Sequence, residues 1–218
     1  RSLDVSLNGQ GAPLVPIGDL LLFPKHKYCI NLGGFANISL KKNKKIIAFD
    51  ICPANIVLND ICKELGIEYD YNGDISREGK IVSTLLQQLN QLDFYIKKAP
   101  KSLGREWVEK HISPILKNHK PEDMLCTFCE HIAIQIGKFL ADESALFTGG
   151  GVFNSFLMER IRFHSKAKII IPNKELIEFK ESLIFAFLGV LRLRNEVNCL
   201  KTVTGADRDN CAGVIHQI

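Results

Sequence analysis

Two glycine-rich turns, each placed after a short apolar run, carry the residues best suited to bind a phosphate group. Glycine lacks a Cβ atom, so an anion can approach the main chain to hydrogen-bonding distance, and an asparagine amide can add a donor. Each turn also has a simpler interpretation, since a glycine pair often only reverses the chain and Asn154 can serve as a helix N-cap. The candidate ligand-binding residues are Gly33, Gly34 and Asn37 in the first turn, and Gly149, Gly150, Gly151 and Asn154 in the second.

Two carboxylates stand beside turns of this kind. Asp4 lies just before the Gly9-Gln10-Gly11 turn, so its carboxylate can act as a general base held near a rigid loop, or simply face solvent. Asp50 ends an apolar strand, and open sheets bind ligands at the carboxyl ends of their strands. We interpret Asp50 either as facing a metal-bound phosphate or as the cap of the next helix. We assign no metal ligand within the chain.

Cys126 and Cys129 have the spacing of a zinc or redox pair, with His131 nearby. Both thiols fall inside an amphipathic helix, and no second Cys or His pair stands at ligand spacing, which favours two core cysteines over a zinc or redox domain. The seven cysteines also lack the dense, regular spacing of a secreted disulfide scaffold. We therefore expect a reducing, cytoplasmic location.

The elements that position these residues alternate between strands and helices. Three short strands surround the first glycine turn, and two more precede and follow the second turn, with amphipathic helices between them. This order predicts an α/β fold with a mixed sheet and helices on its faces. The predicted strands cover 28–32, 37–40, 46–49, 144–148 and 168–171, and the predicted helices cover 56–65, 74–89, 106–116, 121–140 and 153–163.

Two further segments bear on partners. Residues 183–193 are apolar nearly all round, so they are predicted to lie inside, covered by other elements; they are too few to span a bilayer, and we expect no membrane association. The lysine-rich run 41–45 is interpreted as a solvated hairpin tip, with a partner-binding patch as the alternative. A net charge of +4 is spread too thinly to indicate nucleic-acid binding.

A series of motifs in chain order closely resembles the anhydro-N-acetylmuramic acid kinase family. Each motif is weak alone, but together they span essentially the whole chain at suitable separations. The motifs are Asp4 with Gly-Gln-Gly-Ala-Pro-Leu-Val-Pro at 9–16, Asn-Leu-Gly-Gly-Phe-Ala-Asn-Ile-Ser at 31–39, Phe49-Asp50 with Pro53 and Asn55, Pro-Lys-Ser-Leu-Gly-Arg-Glu at 100–106, Gly149 to Gly151 with Asn154, and Thr-Gly-Ala at 204–206.

This resemblance implies an actin-like ATPase (ribonuclease H-like) fold, in which two domains close over ATP and a sugar. Residues 1–218 would form the C-terminal domain, while the N-terminal domain, with another phosphate loop and most sugar contacts, would be absent. The chain opens at Arg1 without an initiator Met and enters a motif almost at once, so we interpret it as part of a longer protein. We expect no turnover from the chain alone, because one lip of the cleft would be missing.

The resemblance also implies roles and chemistry. Asp4 matches the catalytic base, Gly33, Gly34 and Asn37 the second phosphate loop, and Gly149 to Gly151 the adenosine-side turn. The parent protein would use ATP and Mg²⁺ to open the 1,6-anhydro bridge with water while the sugar O6 takes the γ-phosphoryl group, giving N-acetylmuramic acid 6-phosphate in cell-wall recycling. The implied partners are the amino sugar and ATP, with a homodimer as the candidate assembly.

Three residues depart from the family pattern. Asn8, Cys52 and Ala54 stand where family members have glycine, which adds Cβ atoms where the backbone was open to close approach. The alternative interpretation is therefore a divergent, non-catalytic actin-like nucleotide-binding module that has kept the fold.

Overall fold

One mixed five-stranded sheet organises the protein. The computed structural model describes residues 1–42 and 45–216. The strand order is β3-β2-β1-β4-β5; β1, β2 and β3 form an antiparallel meander, and β4 and β5 run parallel to β1. This topology confirms the predicted α/β class and the ribonuclease H-like sheet of actin-like ATPases. The strands are β1 Tyr28–Leu32, β2 Phe35–Lys42, β3 Lys45–Pro53, β4 Ser144–Thr148 and β5 Lys168–Ile170.

Helices cover both faces of the sheet. Short 3-10 turns at Tyr71–Gly73, Asp93–Ile96 and Gly150–Phe153 join some of them. The α-helices are α1 Ser2–Ser6, α2 Pro16–Leu22, α3 Asn55–Glu64, α4 Asp74–Glu78, α5 Ser83–Asn90, α6 Arg105–His111, α7 Ser113–Leu116, α8 Pro121–Gly137, α9 Ser155–His164, α10 Lys174–Leu193 and α11 Lys201–Thr204.

The larger core lies between one sheet face and helices α3, α5, α8 and α9. The helix α8 begins at Pro121, whose fixed φ suits the first helical turn, and its apolar residues recur every four positions. Phe128 and Ile132 of this helix are fully buried with the strand residues Ile30 and Phe147. The predicted 121–140 helix is therefore confirmed as the central element of the core.

A smaller apolar layer covers the other face of the sheet. Helix α10 packs against α2 through Ile184, Leu188 and Ile17. Val203 of α11 packs against Ala48 of β3. These helices leave part of this face open, and the open part becomes the cleft described below.

Two predicted helices are each broken into two. The predicted 74–89 helix stops at Glu78, because the Gly79 backbone lies against α8 so tightly that a Cβ would be 2.0 Å from the Glu122 carbonyl oxygen. The predicted 106–116 helix is interrupted at Ile112, shortly before Pro114, which has no N–H to continue the hydrogen-bond ladder. Local periodicity correctly predicted that both segments are helical. It did not predict the positions at which each helix is interrupted.

The prediction that residues 183–193 lie inside is wrong for one face of α10. Leu183 is 46% exposed, Val190 49% and Leu193 73%. An all-round apolar pattern indicates that both faces need contacts, but it cannot show which partner supplies the second contact.

The lysine-rich turn also differs from its prediction in part. Lys41 is half-buried, and its ammonium donates hydrogen bonds to the carbonyl oxygens of Phe23 and His26, so this lysine anchors the segment before β1 rather than facing solvent. The tip itself, residues 43 and 44, lies outside the described residues.

A buried histidine links α8 to the last residue of α5 and to the segment that follows that helix. His131 is fully buried, with Nδ1 2.8 Å from the Asn90 amide oxygen and Nε2 2.8 Å from the Tyr95 hydroxyl. A neutral ring that donates from Nδ1 and accepts at Nε2 satisfies both contacts. Burial lowers the pKa of His131 to about 3, with a smaller contribution from Lys138.

This histidine should make the protein less stable in mild acid. Below about pH 6.5, His131 is protonated in the unfolded chain but stays neutral in the folded protein. The free energy of unfolding should therefore fall by about 1.4 kcal/mol per pH unit until about pH 3. Between pH 7 and pH 5, urea unfolding of His131→Gln should therefore lose about 2 kcal/mol less than wild type. The exposed control His216→Gln should keep the wild-type slope; an unchanged slope in His131→Gln would contradict this account.

Candidate functional site

The two glycine turns meet at the carboxyl ends of β1 and β4. These strands are parallel neighbours, with Asn31 in register with Thr148, so the turns that follow them lie side by side. A Cβ at Gly149 would be 2.7 Å from the Leu32 carbonyl oxygen, which shows how closely the turns approach. A cleft of about 1060 Å³ opens here, and Gly33, Asn37, Gly149 and Gly150 line it.

The glycines of these turns fall into two groups. Gly149 has φ +86°, and a Cβ at Gly151 would be 2.8 Å from the Leu32 Cβ, so the fold requires glycine at both positions. A Cβ at Gly150 would meet nothing closer than the Asn55 amide nitrogen at 4.0 Å. A Cβ at Gly34 would also have space, because its nearest neighbour would be the Ile56 Cβ at 3.8 Å. A Cβ at Gly33 would be 3.2 Å from the Asn31 amide nitrogen, the end of a flexible side chain, and 3.7 Å from the Phe35 carbonyl oxygen, an ordinary contact distance.

Asn37 and Asn154 have different positions. Asn37 lines the cleft, next to a β-bulge in the β2–β3 pairing and in register with Asp50. The Asn154 amide oxygen accepts the Leu157 N–H at 2.8 Å and so caps α9. Asn154 does not line the cleft, and its observed contact is the capping interaction that the sequence allowed as the simpler interpretation.

Asp4 is completely buried and lies behind the cleft wall rather than in it. Its carboxylate accepts four hydrogen bonds, from the Gly11 N–H, the Thr204 hydroxyl, the Asn210 amide and the Cys199 thiol. Burial alone would raise the pKa of Asp4, but these hydrogen bonds lower it below its ordinary value. The carboxylate therefore fastens the start of the chain to residues 199–210, while neighbouring Gln10 reaches the cleft.

A second wall of the cleft is held by Asp50. Its carboxylate accepts the Leu103 N–H at 2.8 Å, and its own N–H donates to the Lys101 carbonyl oxygen. Ala54 occupies the N-cap position of α3, so Asp50 is not that helix's cap. Burial raises the pKa of Asp50, although the Leu103 hydrogen bond acts in the opposite direction.

Lys101 is the most unusual residue of this wall. Its ammonium lies 4.4 Å above the centre of the Phe94 ring, near the rings of Phe49 and Phe139, and donates to the Phe94 carbonyl oxygen. Burial lowers the pKa of Lys101. Lys101 belongs to the Pro-Lys-Ser motif at 100–102, and this motif was the sequence feature that could have identified it as a residue of the site.

The sequence interpretation missed a buried ion pair that also lines the cleft. The Lys180 ammonium lies 2.8 Å from Asp19 Oδ1, and the Ser39 hydroxyl donates to Asp19 Oδ2 at 2.6 Å. Both charged side chains are more than nine-tenths buried. The missed signal was helical spacing, because Lys180 falls on the same face of its helix as Ile177 and Ile184.

The three residues at which the sequence resemblance implies a departure from the family, Asn8, Cys52 and Ala54, leave the cleft open. Cys52 and Ala54 are completely buried in the core, and Ala54 donates its N–H to the Gly34 carbonyl oxygen. Asn8 has φ 65°, and its amide donates to Asp207. None of the three lines the cleft, so their Cβ atoms do not obstruct a ligand there.

The Cys126 and Cys129 thiols are both buried in α8, as the core interpretation expects. Burial raises the pKa of Cys129 to about 12, which leaves a protonated thiol unsuited to metal or redox chemistry. Within residues 1–42 and 45–216, no three His, Cys, Asp or Glu residues are grouped so as to hold a metal ion. In the same part of the chain, every helix is too short or too polar to cross a bilayer.

Sheet order and strand direction define the class of this protein as a ribonuclease H-like domain of the actin-like ATPase fold. The sequence profile described as "Anhydro-N-acetylmuramic acid kinase" matches residues 1–217, and the chain belongs to that family. Anhydro-N-acetylmuramic acid kinases from Aliivibrio fischeri and Saccharophagus degradans are each 34% identical to it, over 238 and 233 residues. The alignments cover 99% of this chain but 64% and 63% of the relatives, so the chain spans less than two thirds of their length.

Among solved structures, an activator of 2-hydroxyisocaproyl-CoA dehydratase from Clostridium difficile with bound ADPNP is similar at 16% identity. Its TM-score is 0.46, and the superposition covers 78% of this chain and 67% of that one.

The division of the glycines can be tested without any ligand. Gly149→Val should lower the free energy of unfolding by about 1 to 3 kcal/mol, because valine is strained at positive φ and would contact Leu32. Gly150→Val should change it by no more than about 0.5 kcal/mol. Denaturant unfolding of the two variants measures both values, and equal losses would show that the turn needs both glycines for its backbone.

Proposed function

We propose that this chain is the nucleotide-binding part of an ATP-dependent kinase that acts on 1,6-anhydro-N-acetylmuramic acid. The observation that carries the proposal is the pair of cleft glycines, Gly33 and Gly150, that the fold does not require. Glycine costs about 0.5 to 1 kcal/mol relative to alanine in regular structure, so an unneeded glycine calls for another reason. A ligand that contacts the main chain supplies that reason, since any Cβ would stand in its way.

Triphosphate chemistry fits the groups around these glycines. The 3-10 turn that starts at Gly150 leaves its first N–H groups without partners inside the turn, and such groups bind phosphate oxygens. We assign the amide of Asn37 as a further donor. Mg²⁺ would enter with ATP and neutralise its phosphates. Asp50, which lies beside Asn37, is the carboxylate that we assign to face this metal-bound phosphate.

Phosphoryl transfer to the sugar requires a second domain that closes the cleft from the other side. We propose that residues 1–218 are the C-terminal domain of a longer kinase, and that the additional length of the relatives corresponds to the domain carrying most sugar contacts. The closed parent protein would add water across the 1,6-anhydro bridge and transfer the γ-phosphoryl group to O6, with N-acetylmuramic acid 6-phosphate as product. The free thiols of the chain accord with a reducing cytoplasm as its location.

Asp4 remains our candidate for the general base in that reaction. Its lowered pKa keeps the carboxylate ionised at neutral pH, as a base must be. Three of its four hydrogen bonds go to Oδ1 and one goes to Oδ2, and the side chain is fully buried, so the base role requires that closure of the parent protein give the reacting water access to Oδ2. The alternative function, a non-catalytic nucleotide-binding module, keeps Asp4 as a structural anchor only.

Nucleotide binding is testable on the chain itself. MgATP at about 100 times its Kd should stabilise wild type by about 2.7 kcal/mol, and Gly150→Val should lose most of that stabilisation because its side chain enters the phosphate site. The matched control is Gly189→Val, since a Cβ at Gly189 also meets nothing within 4 Å but lies away from the cleft. Thermal unfolding with and without MgATP measures this, and an undiminished shift in Gly150→Val would place the nucleotide elsewhere.

The base role needs the full-length parent protein, because we expect the 218-residue chain alone to release ADP only at background rate. Asp4→Asn should lower sugar-dependent ADP release by about 10² to 10⁴ while MgATP binding is preserved. Thr204→Val is the control, because it removes one donor to Asp4 but keeps the carboxylate. If Asp4→Asn and Thr204→Val lose similar stability and similar activity, the Asp4 carboxylate has only a structural role, and the assignment of Asp4 as the general base is wrong.

A further inference from the structure

A second, smaller cavity lies among the helices of the larger core. Its volume is about 360 Å³, near the lower end of the range for small-molecule sites. The last turns of α3 and the first turn of α8 enclose it, together with the chain between α6 and α8, and we call it the α3–α8 pocket. In the part of the chain that the structure describes, no residue lines both this pocket and the cleft.

The floor of the α3–α8 pocket is apolar. Four helices contribute side chains to it, and each of these side chains is buried as part of the larger core. A floor of this kind favours the alkyl part of a ligand, because contact removes apolar surface from water. The floor residues are Val57, Ile61, Val108, Leu116 and Met124.

The rim of the pocket carries charged groups of both signs. The Glu64 carboxylate lies on the α3 side, and the Lys117 ammonium and the His119 imidazole lie on the side of the chain that leads into α8. Among the described residues, Glu64 and Lys117 form no ion pair with each other or with another side chain. Opposite charges therefore line one small pocket without neutralising each other.

The other charges nearby are already compensated or lie outside the pocket. Asp60 also lines it, but its two carboxylate oxygens accept hydrogen bonds from Lys63 at 2.7 Å and Arg105 at 2.9 Å. The Asp123 carboxylate accepts a main-chain N–H at 2.8 Å. Neither Asp123 nor Glu122, the two acidic residues in the first turn of α8, lines the pocket. The uncompensated charges are therefore those of the rim.

The ends of two helices reinforce this separation of charge. Helix α3 ends at Glu64, and α8 begins at Pro121 without a side-chain cap, shortly after Lys117 and His119. A helix carries a partial negative charge at its carboxyl end and a partial positive charge at its amino end. The α3 side of the pocket is therefore negative, and the side that leads into α8 is positive.

We propose that the α3–α8 pocket binds a free α-amino acid with an apolar side chain. The ammonium group of the ligand faces Glu64, its carboxylate faces Lys117 and His119, and its side chain contacts the apolar floor. A zwitterion complements both walls, whereas a simple cation or anion would complement one wall and be repelled by the other. The proposal does not depend on the proposed function, since the pocket and the cleft share no residue.

Titration calorimetry with L-leucine on the 218-residue chain tests the ligand class. Leucine should bind with a Kd of about 1 mM or tighter, and MgATP should not displace it. Leucinamide, which lacks the carboxylate, and 4-methylpentanoate, which lacks the ammonium, should each bind about tenfold more weakly. Absence of leucine binding at this affinity, displacement by MgATP, or equal binding of the three compounds would overturn the proposal.

Substitutions on the rim test where leucine binds. Glu64→Gln and Lys117→Gln should each weaken leucine binding about fivefold, because each removes one charge while the side chain stays similar in size. The matched controls are Glu68→Gln and Lys110→Gln, since both residues are exposed like Glu64 and Lys117 but do not line the pocket. The control variants should bind leucine as wild type does, and circular dichroism should show all four variants folded. Equal leucine affinity in all four would place the amino acid elsewhere and contradict the proposal.

Discussion

The parallel pairing of β1 with β4 is the interaction on which the site depends. These strands are more than a hundred residues apart in sequence, yet their register places Asn31 beside Thr148, so both glycine turns leave the sheet at the same edge. Only then can a single ligand contact main-chain groups from both turns. Gly149 and Gly151 permit this approach, since side chains there would collide with β1 and the turn that follows it.

Buried polar groups fix the remaining walls of the cleft. Asp4 joins the first loop to the end of the chain, Asp50 holds the loop that carries Lys101, and Asp19 pairs with Lys180 between α2 and α10. Asp4 and Asp19 are buried and Asp50 is half-buried, and specific donors must offset the cost of removing these carboxylates from water. Such groups are strongly directional, so they position loops more narrowly than apolar contacts can.

Membership of the anhydro-N-acetylmuramic acid kinase family and the open cleft both support the proposed nucleotide-binding function. Cys52 and Ala54, where the sequence resemblance implies glycine, are part of the core, and neither lines the cleft. Helix α10 contributes Lys180 to the cleft wall on one side, and the opposite side of the helix is exposed.

The sequence by itself determined the α/β class, all five strands, the central α8 helix, the core location of Cys126 and Cys129, and the family, because these depend on local periodicity and on motifs in order. It could not separate Gly150 from Gly149 and Gly151, since that difference depends on what β1 places nearby. Nor could it show that Asp4 is enclosed by donors from residues 199–210, that Asp19 meets Lys180, or that one face of α10 is uncovered. Those features arise between residues distant in sequence, so only the tertiary structure decided them.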